Sequence, residues 1–225
     1  MQLVIFDLDG TLVDAYKAVA ESINYMLKQM GHPPADDETV KRSVGWGIRH
    51  LITTFVSEQE ADQGLSIYRQ HHARALKSGT AFLPGAKELL NRLKKKGYRL
   101  AIASNRPARF THIILKHLKA SAFFDYVLCG DEVADPKPAP HMLRQILEKF
   151  SLKPAQALYV GDMTIDVESG HAAGIRTVAV ITGSSNREDI MRLGPLKIIE
   201  SISEVEDVLG REEIPAERPI KKVCC

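Results

Sequence analysis

Cysteine is scarce in this chain: Cys129, Cys224 and Cys225 are three among 225 residues, too few for a disulfide framework. Long apolar runs are missing as well. None approaches the roughly 20 residues that a membrane span requires, and no basic start leads through an apolar stretch to a small-residue cleavage site. A cytoplasmic protein with no membrane partner is therefore expected. The adjacent thiols at the end read as part of a frayed tail rather than a lipidation signal. Charge of one sign is not in excess either, since 30 basic and 28 acidic side chains give a formal net charge of +2. A nucleic-acid partner would require a clustered basic face, so none is expected. The basic run Lys94, Lys95, Lys96 reads as a helix end, where cations suit the negative pole of the dipole and face water.

What is present is ordinary globular composition, 44% hydrophobic and 26% charged, enough to bury a sizeable core. Leu3, Val4, Ile5 and Phe6 form a short continuous apolar run, the pattern of a strand buried on both faces of a parallel sheet. Similar runs occur at 99–104, 126–128, 157–160 and 177–181. Helical periods lie between them. Leu89, Leu90 and Leu93 form one stripe, closed by Gly97; Ile113, Ile114 and Leu118 form a second; Leu143, Ile146, Leu147 and Phe150 form a third. This alternation predicts an α/β protein with a doubly wound, Rossmann-like parallel sheet.

The alternation fails between about Asp14 and Ala81. There the pattern predicts helices over 15–29, near 48–56 and over 60–77, with no strand, and Gly31, Pro33 and Pro34 part the first from the rest. The expected organisation is a core of residues 1–13 and 82–210 and a small all-α cap over 14–81, inserted after strand one. A charged, proline-bearing tail over 211–225 follows.

In such a sheet, function gathers where strands end and loops turn over their carboxyl edge. Four of these ends are marked. In F-D-L-D-G-T-L-V-D, Asp7 and Asp9 lie two apart just after an apolar strand, with Gly10 allowing a sharp turn. Alternate residues of extended chain point the same way, and a hard dication resolves the repulsion between the two carboxylates. An acidic turn cornered at Asp9-Gly10 is the alternative. Ser104-Asn105-Arg106-Pro107 ends the second strand. Its hydroxyl, amide and backbone N–H groups can hold an anion, or Ser104 or Asn105 can cap a helix.

In D-P-K-P-A-P, Lys137 stands between two prolines that stiffen its backbone. Its ammonium suits a phosphoryl group, though a solvated lysine in a surface turn would read the same. In Y-V-G-D-M-T-I-D, Asp162 follows a strand and a glycine, and Asp166 lies four residues on, one helical turn away on the same face. Asp162 suits a metal and Asp166 a supporting role that orients a ligand. A capping aspartate is the plainer alternative.

Taken together and in this order, D-x-D-G-T, S-N, K-P and G-D-x-x-x-D resemble the motifs of the haloacid dehalogenase superfamily, with matches reaching from Phe6 to Gly174. The resemblance implies that Asp7 is the nucleophile and Asp9 the general acid/base. It implies that Ser104 and Lys137 bind the phosphoryl group, with Asn105 beside them, and that Mg²⁺ sits on Asp7, Asp9 (through its carbonyl) and Asp162. Physical chemistry agrees: a covalent acceptor splits one hard hydrolysis into two easier steps. A second carboxyl can protonate the leaving oxygen and then deprotonate water. Dehalogenating members lack the second aspartate, so Asp9 points to phosphate esters.

The helical insert is similar to the subgroup with an α-helical cap, a lid that would exclude water and select the substrate. V-G-W-G-I-R-H-L, from Val44 to Leu51, looks like the cap loop of phosphoglycolate phosphatases. F-L-P-G at 82–85 and S-N-R-P look like the same subgroup, where N-K-P is more usual; Arg106 is a departure. Gly45 and Gly47 around Trp46 suit a flexible loop over a small ligand, and Arg49 or His50 could meet its carboxylate. Plain packing between cap and core is the alternative for Trp46. His71 and His72 read as ordinary polar helix residues. The resemblance thus implies a phosphomonoester hydrolase, monomeric or homodimeric, acting on 2-phosphoglycolate or a similar small phosphorylated metabolite. A sugar phosphomutase of the β-phosphoglucomutase type, or a pyrophosphatase or nucleotidase, is the alternative. The insert and Asp9 speak against a non-enzymatic phospho-receiver module.

Overall fold

Strand β1 (Leu3–Phe6) is buried throughout. Its side chains alternate between two layers, as extended chain requires: Val4 and Phe6 enter one apolar cluster, Leu3 and Ile5 another. The computed structural model describes residues 1–211. The expected tail, with Cys224 and Cys225, lies outside the described residues apart from Arg211. After β1 the chain leaves the sheet through β2 (Val13–Asp14) and returns through β3 (Ala81–Phe82). These two pair antiparallel, Val13 with Phe82 and Asp14 with Ala81. Such short strands carry no alternation to read, and the sequence pattern predicted none here.

Between them lie four helices: α1 (Tyr16–Gln29), α2 (Asp37–Ser43), α3 (Ile48–Thr53) and α4 (Ala61–Ala75). Ile23, Met26 and Leu27 of α1 and Leu65 and Tyr68 of α4 are buried in one apolar cluster with Val4 and Phe6 of β1. The sequence pattern missed α2, which buries only Val40 and Ser43. Its start is held by Asp36, whose carboxylate accepts from Thr39 N at 2.8 Å, an N-cap bond.

The chain then alternates as expected through α5 (Ala86–Lys95), β4 (Arg99–Ser104), α6 (Ala108–His117), β5 (Tyr126–Cys129), α7 (His141–Phe150), β6 (Ala157–Gly161), α8 (Thr164–Ala173) and β7 (Arg176–Val180), and goes on through α9 (Arg187–Arg192), β8 (Lys197–Ile199) and α10 (Val205–Arg211), which the sequence pattern did not predict. Three-residue β8 adds an unforeseen edge strand, pairing Ala179 with Ile198. The sheet is parallel, in the order β5-β4-β1-β6-β7-β8. Leu89, Leu90 and Leu93 of α5 pack on the Val4 face, and Met142, Leu143 and Ile146 of α7 on the Leu3 face. The lysines ending α5 do more than face water: Lys94 pairs with Asp125 at 2.9 Å and Lys96 with Glu206 at 2.6 Å. Among the described residues no helix is long and apolar enough to cross a membrane.

β1 sits centrally, with β4 on one side and β6 on the other. The chain builds outward first through β4 and β5, then through β6, β7 and β8. The order therefore reverses beside β1, and a crevice at the carboxyl ends of strands is expected at that point.

Candidate active site

The crevice gathers carboxylates. Asp7 extends β1 by one residue, its N–H bonded to Val160 O at 2.8 Å, and Asp162 follows β6. Oxygens of Asp7, Asp162 and Asp166 all lie within 4.8 Å of one another, and all three residues are buried. Gly10 makes the approach possible. Its φ is +79°, and a Cβ there would collide with the Asp162 carboxylate and the Tyr16 hydroxyl, so a side chain is excluded twice over. Thr11 Oγ1 donates to Asp162 Oδ1 at 2.7 Å.

Asp162 and Asp166 do not share a helix face, as the i, i+4 spacing suggested. Asp162 precedes α8, and Asp166 folds back to accept from the N–H groups of Asp162 (3.1 Å) and Met163 (2.9 Å) on Oδ2. Its other oxygen accepts from Tyr159 OH at 2.6 Å and Lys137 Nζ at 2.8 Å. Both oxygens are thus committed, and capping and support are one role. Tyr159 escaped the sequence reading because it looked like one more buried strand residue.

Lys137 is buried, with Nζ 2.6 Å from Asp7 Oδ1 and 3.1 Å from Tyr159 OH. Burial alone would lower its pKa, but Asp166 and Asp7 raise it above the usual lysine value, so it stays an ammonium. Asn105 holds this loop in register: its amide accepts from Lys137 N and donates to Lys137 O and Gly45 O, each at 2.9 Å. Its side chain is therefore spent on loop and cap. Ser104, buried at the end of β4, accepts from Arg106 N at 3.2 Å. Neither caps α6, whose N-cap is Pro107.

Arg106 has a definite place. Its guanidinium grips Asp9 with both edges of a fork, Nε to Oδ2 at 2.7 Å and Nη2 to Oδ1 at 2.8 Å. Nη1 meets His72 Nε2 of the cap at 2.8 Å. His72 is no ordinary polar residue: it is wholly buried, stacked on Tyr68, with Nδ1 3.0 Å from Ser22 Oγ. Burial, then Arg106, pushes its pKa down to about 2, so Nε2 accepts from the guanidinium. The signal was present in its spacing, since His72 stands four residues from Tyr68 and seven from Leu65 on the apolar stripe. A depressed folded-state pKa gives stability that is present above about 6.5 and lost as pH falls toward 2. Relative to His72→Gln, the wild type is expected to lose about 2 kcal/mol between neutral pH and roughly pH 5. Urea unfolding midpoints at each pH measure it; a constant difference would contradict a buried neutral imidazole.

Asp7, Asp9, Ser104, Asn105, Arg106 and Lys137 line one cleft, a concave site of the kind that takes a small ligand. Gly45 and Gly47 line it too, and Gly45, at φ +109°, abuts Met163 so closely that a Cβ would overlap its sulfur. Trp46 and Arg49 do not line it. Trp46 is 44% exposed, and Arg49 pairs with Glu58 and Asp62 on the cap surface. His50 stands by Trp46, ring centroids 6.1 Å apart.

The donor set fits a hard dication. Burial, opposed by Lys137, raises the Asp7 carboxyl to about 7, and burial with Asp7 beside it raises Asp162 well above the carboxylate range. Negative charge here is under-compensated, which a cation with oxygen preference relieves. Tyr16 OH and Ser184 Oγ, on the same lining, are buried with no protein partner, as polar atoms facing a bound ligand or its water would be.

Fold and site define a hydrolase built on a parallel sheet flanked by helices, with a helical cap inserted after its first strand. The chain belongs to the haloacid dehalogenase-like hydrolase family, whose model matches residues 4–180. It is 34% identical over 210 residues to a phosphoglycolate phosphatase of Pseudomonas savastanoi pv. phaseolicola, covering 89% of this chain and 77% of that one. It is 32% identical over 219 residues to a phosphoglycolate phosphatase of Psychrobacter arcticus, covering 92% and 95%. A crystal structure described as a predicted phosphoglycolate phosphatase from Haemophilus somnus 129PT matches with a TM-score of 0.88 at 28% identity, covering 93% and 98%.

Proposed function

We propose that this phosphatase hydrolyses 2-phosphoglycolate or a similar small phosphomonoester, with Mg²⁺, through an aspartyl-phosphate on Asp7. The observation that carries the reading is the meeting of Asp7, Asp162 and Asp166 within 4.8 Å, with Lys137 Nζ 2.6 Å from Asp7. A carboxylate oxygen of Asp7 attacks phosphorus, and the ester oxygen leaves with a proton from Asp9. Water then attacks the phosphoryl group, Asp9 takes its proton, and phosphate departs as Asp7 is restored. Lys137 and Ser104 hold the phosphoryl oxygens, and Asp166 and Asn105 fix Lys137. Held by Asp7, Asp162 and the Asp9 carbonyl, Mg²⁺ would neutralise charge on the transferring group.

The relatives named as phosphoglycolate phosphatases support the substrate. A screen of 2-phosphoglycolate, sugar phosphates, nucleotides and pyrophosphate, with Mg²⁺ and then with a chelator, tests it. The highest kcat/KM is expected on 2-phosphoglycolate, falling to background on chelation. Preference for pyrophosphate or a nucleotide would assign a different substrate, and turnover that survives chelation would remove the metal.

A further inference from the structure

Arg106 spends its charge on a residue that the proposed chemistry needs free. Its fork holds both oxygens of Asp9, at 2.7 and 2.8 Å, so neither oxygen is free to turn toward a leaving group. The third edge of the guanidinium is anchored separately, by neutral His72 of the cap at 2.8 Å, so Arg106 keeps its seat whatever fills the fork. Lys137, 2.6 Å from Asp7, is assigned to the phosphoryl group. Among the described residues lining the cleft, Arg106 is then the cation left for a second anionic group. The same lining carries the apolar side chains of Val19, Leu51 and Phe110 and the ring of Tyr68.

We propose that Arg106 is the receptor for a carboxylate of the substrate, and that Asp9 occupies this receptor until the substrate displaces it. The inference rests on the phosphomonoesterase reading above and narrows its substrate class to small phosphorylated carboxylic acids. One guanidinium fork binds one carboxylate in bidentate fashion. A substrate that brings its own carboxylate takes the fork, and Asp9 is released toward the ester oxygen as the phosphoryl group seats against Asp7. A phosphate ester without a carboxylate leaves Asp9 gripped and turns over slowly. Recognition of one end of the ligand is thereby coupled to acid catalysis at the other.

The test compares kcat/KM for 2-phosphoglycolate and for ethyl phosphate, which carries a methyl in place of the carboxylate, in wild type, Arg106→Gln and Arg106→Lys. The wild-type ratio is expected to favour 2-phosphoglycolate strongly. It should fall roughly 100-fold in Arg106→Gln, largely through KM, and about tenfold in Arg106→Lys, which keeps charge without the fork. A ratio does not depend on the folded fraction, so a destabilised variant still reports, and Arg106→Lys serves if the glutamine variant does not fold. Equal losses on both substrates, leaving the ratio unchanged, would reduce Arg106 to a positioner of Asp9 and overturn the inference alone. A wild-type ratio near one would overturn it together with the phosphoglycolate reading.

Discussion

Asp7→Asn is expected to lower phosphate release by about 10⁴-fold or more, because the amide cannot form the acyl-phosphate and no neighbour can stand in for it. Asp162 is bonded to Thr11, and Asp166 is committed on both oxygens. The fold should survive. The substitution is nearly isosteric and removes one of three buried carboxylates that repel one another, so without metal the variant should melt no lower than wild type. Rapid-quench mass spectrometry supplies the second readout, a phosphoryl adduct on the Asp7 peptide in wild type and none in the variant. Full phosphate release by a folded Asp7→Asn protein would leave the mechanism without its nucleophile.

Lys137→Met is expected to cost both activity and stability. The methionine keeps most of the stem volume and deletes the charge, so Asp7, Asp166 and Tyr159 OH lose their shared cation at 2.6, 2.8 and 3.1 Å. Breaking a buried ion pair from one side costs about 3–5 kcal/mol, and losing a charged group on the transferring phosphoryl costs roughly 10³-fold in kcat. Urea midpoints without metal read the first effect and steady-state turnover the second. Mg²⁺ should restore part of the stability, since it relieves the same excess of negative charge, but little of the turnover. A variant as stable and as active as wild type would show that Lys137 is a bystander.

Much of this was legible along the chain. A strand buried on both faces betrays itself by consecutive apolar residues, as β1 and β4 do. Asp7 and Asp162 are marked because each follows such a strand, and parallel strands end at one edge. Short elements were illegible: α2, β2, β3 and β8 are too brief to show a period. The lone charged side chains were harder still. Nothing near Arg106 tells that it pairs with Asp9, 97 positions away, rather than with solvent. Arg49 lies beside the cap-loop glycines in sequence, yet its charge goes to Glu58 and Asp62.

The sequence by itself determined the alternating α/β core, the helical insert after the first strand, and which carboxylates and lysine stand at strand ends. Those features follow from local apolar pattern and backbone periodicity, which act between near neighbours. Only the tertiary structure decided the partners: Asp166 with Lys137 and Tyr159, Arg106 with Asp9, and buried His72 behind them. The first two pairings follow from the parallel sheet bringing loops distant in sequence to one edge, and the last from where α4 of the cap comes to rest against that edge. A charge removed from water takes whichever counter-charge that packing brings within reach.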